Sequence, residues 1–261
     1  LDFCREIILV PVGWVAEIWR YPVSSLGGER LASVDLIATG VPGDRAWAVV
    51  DAQTGKPAAP EKEPRWRSAL FLSSRLRHDI PEIGFPDREW IPVDALDMDK
   101  RLSHHFGFDV SVRPYELSAW GTFVASAVAE SRYALSPLHL VTSSSMEWLA
   151  NLLGTDEIDC RRFRPNIVLN TSGMVGLPET AWLGCCLKMG SATMLATEET
   201  KRCGMTLIAQ PGLSENPDIL RSILRQNRRN FGIYGFVGTE GAISVGDAAI
   251  LVRDQTKAML G

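Results

Sequence analysis

Apolar residues recur at every second position in run after run of this chain. "RLASVDLIATG", "FDVSVRPYE" and "GAISVGDAAILV" alternate apolar with polar or small residues, and glycine, proline or aspartate punctuates them. A period of two puts one set of side chains on a buried face and the other in solvent, so these runs are short β-strands joined by turns. Residues 12–23, rich in aromatic and β-branched side chains, form another strand that ends at the glycine turn "SSLGGE". With "RLASVDLIATG" and "RAWAVVDAQTG" it predicts an antiparallel meander, because no helical period separates the three runs. "FRPNIVLN" and "CCLKMGSATMLAT" are further strands, whereas prolines and charges accumulate over 58–90 and no period holds there.

Three segments depart from this pattern. "TSSSMEWLANLLG" carries apolar residues at 146, 149, 152 and 153, with Ser144 and Glu147 as an expected capping box and Gly154 as the stop. "NPDILRSILRQNRRNFG" offers Asn216 as cap, Pro217 as first helical residue and Gly232 as stop. Its apolar residues at 219, 220, 223 and 224 share one face, while Arg221, Arg225, Arg228 and Arg229 crowd the rest; such a run is a solvated face or a docking surface for an electron donor. A shorter helix is expected over 97–106, stopped by Gly107. The predicted fold class is mainly β with inserted helices (α+β), built on a β-barrel. The weakly patterned segment 118–137 is the expected boundary, giving domains 12–128 and 129–254.

Charge and cysteine usage narrow the function. Lys and Arg number 27 against 31 acidic residues, a net charge of −4, which argues against a general nucleic-acid binder and leaves room for a local basic pocket. The five cysteines show no CxxC and no Cys/His spacing suited to zinc, so reduced thiols and a cytoplasmic setting are expected. The apolar start "IILVPVGWVAEIW" is broken by Pro11 and Gly13 and is too short for a membrane span.

The stretch "TEETKRCGMTLIAQPG" sets Cys203 beside Lys201 and Arg202. Alone, Cys203 reads first as a small buried hydrophobe, but cationic neighbours favour a thiolate. Four stretches then occur in order: "YPVSSLGGE", "GDRAW", "RRFRPNIVLN", and "KRCGMT" with "FGIYGFVGTEGAISVGD". Together they resemble the MOSC family, named for the C-terminal domain of molybdenum cofactor sulfurase, and the opening third resembles the β-rich domain that precedes it. The likeness runs from about Val12 to Val252 and is nearest in pattern to the amidoxime-reducing molybdenum proteins.

The resemblance implies a MOSC-type β-barrel after a smaller β-rich domain, and a molybdenum–molybdopterin site with Cys203 as metal ligand and catalytic thiol. It implies cofactor binding by Ser25, Arg45, Arg164 and Asn166, and by Lys201 and Arg202 of the cysteine motif. Thr142 and Ser143 join them at a helix start whose free N–H groups favour an anion, although capping explains them as well. An ion pair is the alternative for Arg45 and Arg164, and turn chemistry for Ser25. His139 of "LHLV" matches a turn that lines the family's pocket. Ser24 stands where the family's first motif carries lysine. The implied activity is reduction of small N-hydroxylated molecules, with electrons from a separate donor protein. The alternatives are molybdenum-independent sulfur transfer or C–S bond chemistry through Cys203, served by a cysteine desulfurase, and a binding module for a small anion.

Overall fold

The computed structural model describes residues 7–117, 123–125, 129–130, 137–171 and 173–254. Among these, seven strands close into a barrel: β1 (Ile7–Arg20), β2 (Leu138–Thr142), β3 (Ile167–Asn170), β4 (Cys186–Met189), β5 (Ala192–Lys201), β6 (Asn230–Thr239) and β7 (Ala248–Asp254). Their order is β3-β2-β6-β5-β4-β7-β1, and pairing of β1 with β3 completes the ring. All pairs are antiparallel except β2 with β3. The alternation now has its physical meaning. Val15, Ile18, Leu140, Leu169, Leu187 and Met194 are among the side chains that fill the barrel, each worth about 1.5–3 kcal/mol of burial.

One glycine makes the closure possible. Residues 7–14 of β1 pair with β7 and residues 14–18 with β3, and the register shifts between Pro11 and Gly13. Gly13 has φ +140°, and a Cβ there would lie 1.9 Å from the Asn170 carbonyl oxygen. No larger residue fits that bulge.

The second unit surrounds a separate core of Val23, Leu26, Trp66, Met98, Leu102 and Val112. Its parallel pair Val23–Ser24 with Trp47–Asp51 extends through Val110–Leu117. Sheet membership does not follow the division into 12–128 and 129–254, since β1 belongs to the barrel. The predicted meander is also absent. Glu29–Leu31 pairs with β1, Ser33–Leu36 pairs with Gly241–Ser244, and Trp47–Asp51 lies in the other unit. Alternation fixes which face a strand buries but not which strand it joins. Residues 58–92 hold a 3₁₀ helix, Pro64–Phe71, and a three-stranded sheet, Ser73–Arg77, Ile80–Gly84 and Trp90–Pro92, which are too short to leave a period. Most of 118–137 lies outside the described residues.

Helix α1 (Met98–Phe106) ends at Gly107 as expected. In α2 (Ser143–Leu153) the cap is Thr142, whose hydroxyl accepts from the Ser145 N–H; the predicted cap Ser144 lies two residues further on, inside the helix. In α3 (Pro217–Asn227) Asn216 caps as predicted, but the stop is Arg228, in the left-handed region, and not Gly232. No helix among the described residues is long and apolar enough to cross a membrane.

Candidate functional site

The first two motifs meet where β1 leaves the barrel. The Tyr21 N–H donates to Asp44 Oδ1 (2.7 Å), and the Arg45 N–H returns a bond to the Tyr21 carbonyl (2.7 Å). The "GDRAW" turn is thereby locked onto "YPVSS". Arg45 stacks its guanidinium 4.9 Å from the Tyr21 ring centroid, pairs with Asp44, and donates to the Arg164 carbonyl (2.9 Å) and Asn166 Oδ1 (3.5 Å). Arg164 lies 4.3 Å from the same ring and donates to the Leu26 carbonyl (2.5 Å). Two guanidinium groups therefore converge on one buried phenol ring. The ion-pair alternative holds for Arg45, yet its side chain is still 27% exposed.

Backbone strain marks the same place. Ser25, Arg45 and Arg164 all have positive φ, at 68°, 50° and 54°. For non-glycine residues this conformation is costly and gathers at functional sites. Ser25 donates to the Ala58 carbonyl (3.1 Å), so its hydroxyl secures the loop at 58–61. Asn166 is buried and braces both Arg45 and the His139 N–H (3.2 Å). Tyr21 is buried, and its hydroxyl has no hydrogen-bond partner among the described residues; burial pushes its pKa up.

Cys203 is exposed and precedes the 3₁₀ turn Gly204–Leu207, whose Thr206 donates to the Cys203 carbonyl through its N–H and its hydroxyl. Gly204 packs on the loop that Ser25 holds: a Cβ there would lie 3.3 Å from the Glu61 carbonyl oxygen. Cys203 and Ser25 thus flank one loop.

Arg202 has another task. It is buried, and it donates through Nε to the Phe231 carbonyl (2.7 Å), through Nη1 to the Phe163 carbonyl (3.0 Å), and through Nη2 to His139 and Phe231. With every guanidinium nitrogen committed to the protein, it fixes the strand entering Cys203. Burial lowers its pKa to about 10, so it remains a cation at neutral pH. His139 is buried beside it. Desolvation, then the charges of Arg202 and Arg45, hold its pKa well below the ordinary 6.5, so the ring is neutral. Nε2 accepts from Arg202 and Nδ1 faces the Arg164 carbonyl (3.3 Å), which places the ring proton on Nδ1. Gly232 leaves room for this ring, since a Cβ there would lie 3.0 Å from His139 Nε2. Lys201 is exposed and has no ion pair among the described residues.

Thr142 and Ser143 lie elsewhere in the chemistry. The anion at the start of α2 belongs to the chain itself: buried Glu179 accepts from Thr142 Oγ1 (2.8 Å) and from Ser145 Oγ (2.6 and 2.7 Å). Burial raises the Glu179 pKa, against the pull of these donors and Arg202. Ser143 accepts from the Thr171 N–H (3.0 Å). Glu179 carried no sequence signal, because nothing in "GLPETAW" shows that it folds back on α2. Asp44 and Tyr21 lay inside the quoted motifs without assigned roles.

A MOSC domain model matches residues 103–249, and a MOSC N-terminal beta barrel domain model matches residues 12–100. The chain belongs to the MOSC domain family. No curated protein matches it. Among solved structures, the YuaD protein from Bacillus subtilis aligns over 96% of this chain and 98% of its own, at TM-score 0.50 and 13% identity, a likeness of fold. YiiM from Geobacillus stearothermophilus covers 54% of this chain and 71% of its own, at TM-score 0.36 and 17% identity. Among the described residues no group of three or more His, Cys, Asp or Glu is placed to hold a metal.

Proposed function

We propose that this MOSC protein holds a molybdenum–pterin cofactor at the junction of its two units and reduces small N-hydroxylated molecules, with Cys203 as the metal's protein ligand. One observation carries the reading: an exposed thiol stands beside a loop that leads to a strained, cation-rich junction. The donor set suits the group. A thiolate is a soft ligand fit for such a metal, and the Arg45 and Arg164 guanidinium groups match the pterin's phosphate. When bound, the cofactor supplies two-electron redox chemistry at the N–O bond. The chain's residues bind and orient: Arg202 holds Cys203 in place, Asn166 and Asp44 aim Arg45, and Ser25 secures the loop between them. The reaction balances as R–NHOH plus two electrons and two protons, giving R–NH₂ and water.

The test is reduction of an aryl amidoxime by protein from a molybdopterin-competent host, driven by a chemical reductant. Turnover that falls at least about a hundredfold in Cys203→Ser supports the reading. Equal turnover in that variant overturns it.

Sulfur transfer is a second reading, favoured by position 24. Ser24 is buried where the related motif has lysine, and Arg20 cannot replace that charge because it is paired with Glu29 (2.9 Å). Here the Cys203 thiolate attacks the outer sulfur of a desulfurase persulfide. The donor's S–S bond breaks, the donor leaves as thiolate, and Cys203 keeps the sulfur as a persulfide. Mass spectrometry of Cys203 after incubation with a cysteine desulfurase and cysteine reads this directly; an unmodified thiol rules it out.

A further inference from the structure

The outer wall of the barrel carries a continuous apolar row. Leu9 of β1 stands opposite Val252 of β7, Val252 opposite Cys186 of β4, Cys186 opposite Leu195 of β5, and Leu195 opposite Phe236 of β6. Their chain neighbours Val10, Leu251, Leu187, Met194 and Val237 pack into the barrel core, so the side chains of the row point outward. Leu9 is 60% exposed, Phe236 40% and Leu195 37%. In a sheet with one buried face the outward positions are ordinarily polar, so this row departs from the pattern. The helices pack on other parts of the barrel, α2 against β2 and β3 and α3 against the start of β6 at Phe231.

We infer that this row is the centre of a two-fold interface with a second copy of the chain. The charges on either side of the row select that occupant. Lys188 is exposed on β4 one outward step beyond Cys186, and Glu198 is exposed on β5 beyond Leu195 in the opposite direction. A two-fold axis along the row turns the second copy so that its Lys188 meets Glu198 of the first, and the reverse. An axis across the row would set Lys188 against Lys188. The two residues sit on neighbouring strands, about 4.8 Å apart, an offset that a lysine side chain spans. The wall of a barrel is convex, so the closest contact falls on β4, the middle strand of the row, where Cys186 faces its own copy across the axis.

The experiment measures mass in solution by light scattering over a concentration series of the whole chain. The interface predicts a species of twice the 28.7 kDa chain mass that dissociates on dilution. Leu195→Asp places an unpaired charge in the contact and should weaken association at least about a hundredfold. Leu195→Thr, a residue suited to an exposed strand, moves association in the same direction and guards against a folding defect in the aspartate variant. Lys188→Glu should weaken association at least about tenfold, and adding Glu198→Lys to the same chain should restore it. A short bis-maleimide should join Cys186 of one copy to Cys186 of the other, read by peptide mapping. A monomer at every concentration overturns the interface, and so does a dimer that both Leu195 variants leave intact. A dimer that Lys188→Glu weakens and the double reversal does not restore overturns the axis. Monomeric protein that binds phosphatidylcholine vesicles through Leu195 overturns the occupant.

Discussion

The start of α2 and the junction at Tyr21 are both places where this chain gathers donors for an anion, and they end in opposite states. At α2 the anion is Glu179, buried and held by Thr142 and Ser145, and the site is closed. At the junction Arg45 and Arg164 converge on one ring with Asp44 beside Arg45, the Arg45 side chain reaches solvent, and an exposed thiol lies across one loop. The difference lies in where the negative charge comes from. A helix start supplies N–H groups to any anion, and here a carboxylate 37 residues from Thr142 has taken the position. Strain separates the two as well: Ser25, Arg45 and Arg164 adopt left-handed backbone at the open site, whereas Thr142 is extended.

Removing the internal anion should have the largest effect. Glu179→Ala leaves two buried hydroxyl groups without their acceptor and is expected to cost about 3 kcal/mol or more of stability, read by urea unfolding. Glu179→Gln retains an acceptor and should cost less. A cost below about 0.5 kcal/mol for the alanine variant would erase the distinction between a closed and an open site.

His139 links the two regions through Arg202 and the Arg164 carbonyl, and its test is a pH profile. The unfolded imidazole takes up a proton below about 6.5, whereas burial and the adjacent Arg202 keep the folded one neutral. Stability is therefore lost as pH falls through that window. Glu179, with its raised pKa, binds more protons folded than unfolded above its ordinary range and gives the opposite slope. Comparison with His139→Gln isolates the histidine. The wild type should lose about 1 kcal/mol more than the variant between pH 7.5 and 5.5, and parallel profiles would show that His139 is charged or irrelevant to folding.

The smallest effect concerns the ring that both guanidinium groups share. Tyr21→Phe keeps the stacking surface and removes a buried hydroxyl that has no partner among the described residues. The melting point should stay level or rise, by up to about 1 kcal/mol in stability. A clear loss would mean that the hydroxyl has a structural role in the open site.

Much of this was legible beforehand. Period-two runs gave most of the strands, and Asn216, Gly107 and Gly154 marked helix ends through chemistry that acts within a few residues. Residues of three motifs meet at one junction, Tyr21, Arg45 and Arg164 among them, and Cys203 lies across the loop that Ser25 holds. What the sequence hid was pairing at long range. β1 read as part of a meander because alternation is blind to partners. Arg202 read as a cofactor-binding residue because adjacency to Cys203 does not reveal that its side chain turns inward to Phe163, Phe231 and His139. Thr142 and Ser143 looked like an anion site because the occupant lies in a segment without any period.

Metal analysis tests the central claim most directly. Protein from a molybdopterin-competent host should carry stoichiometric molybdenum, and Cys203→Ser should lose most of it while Thr142→Ser, at the closed site, does not. Metal-free wild-type protein, or equal molybdenum in the cysteine variant, would contradict the account.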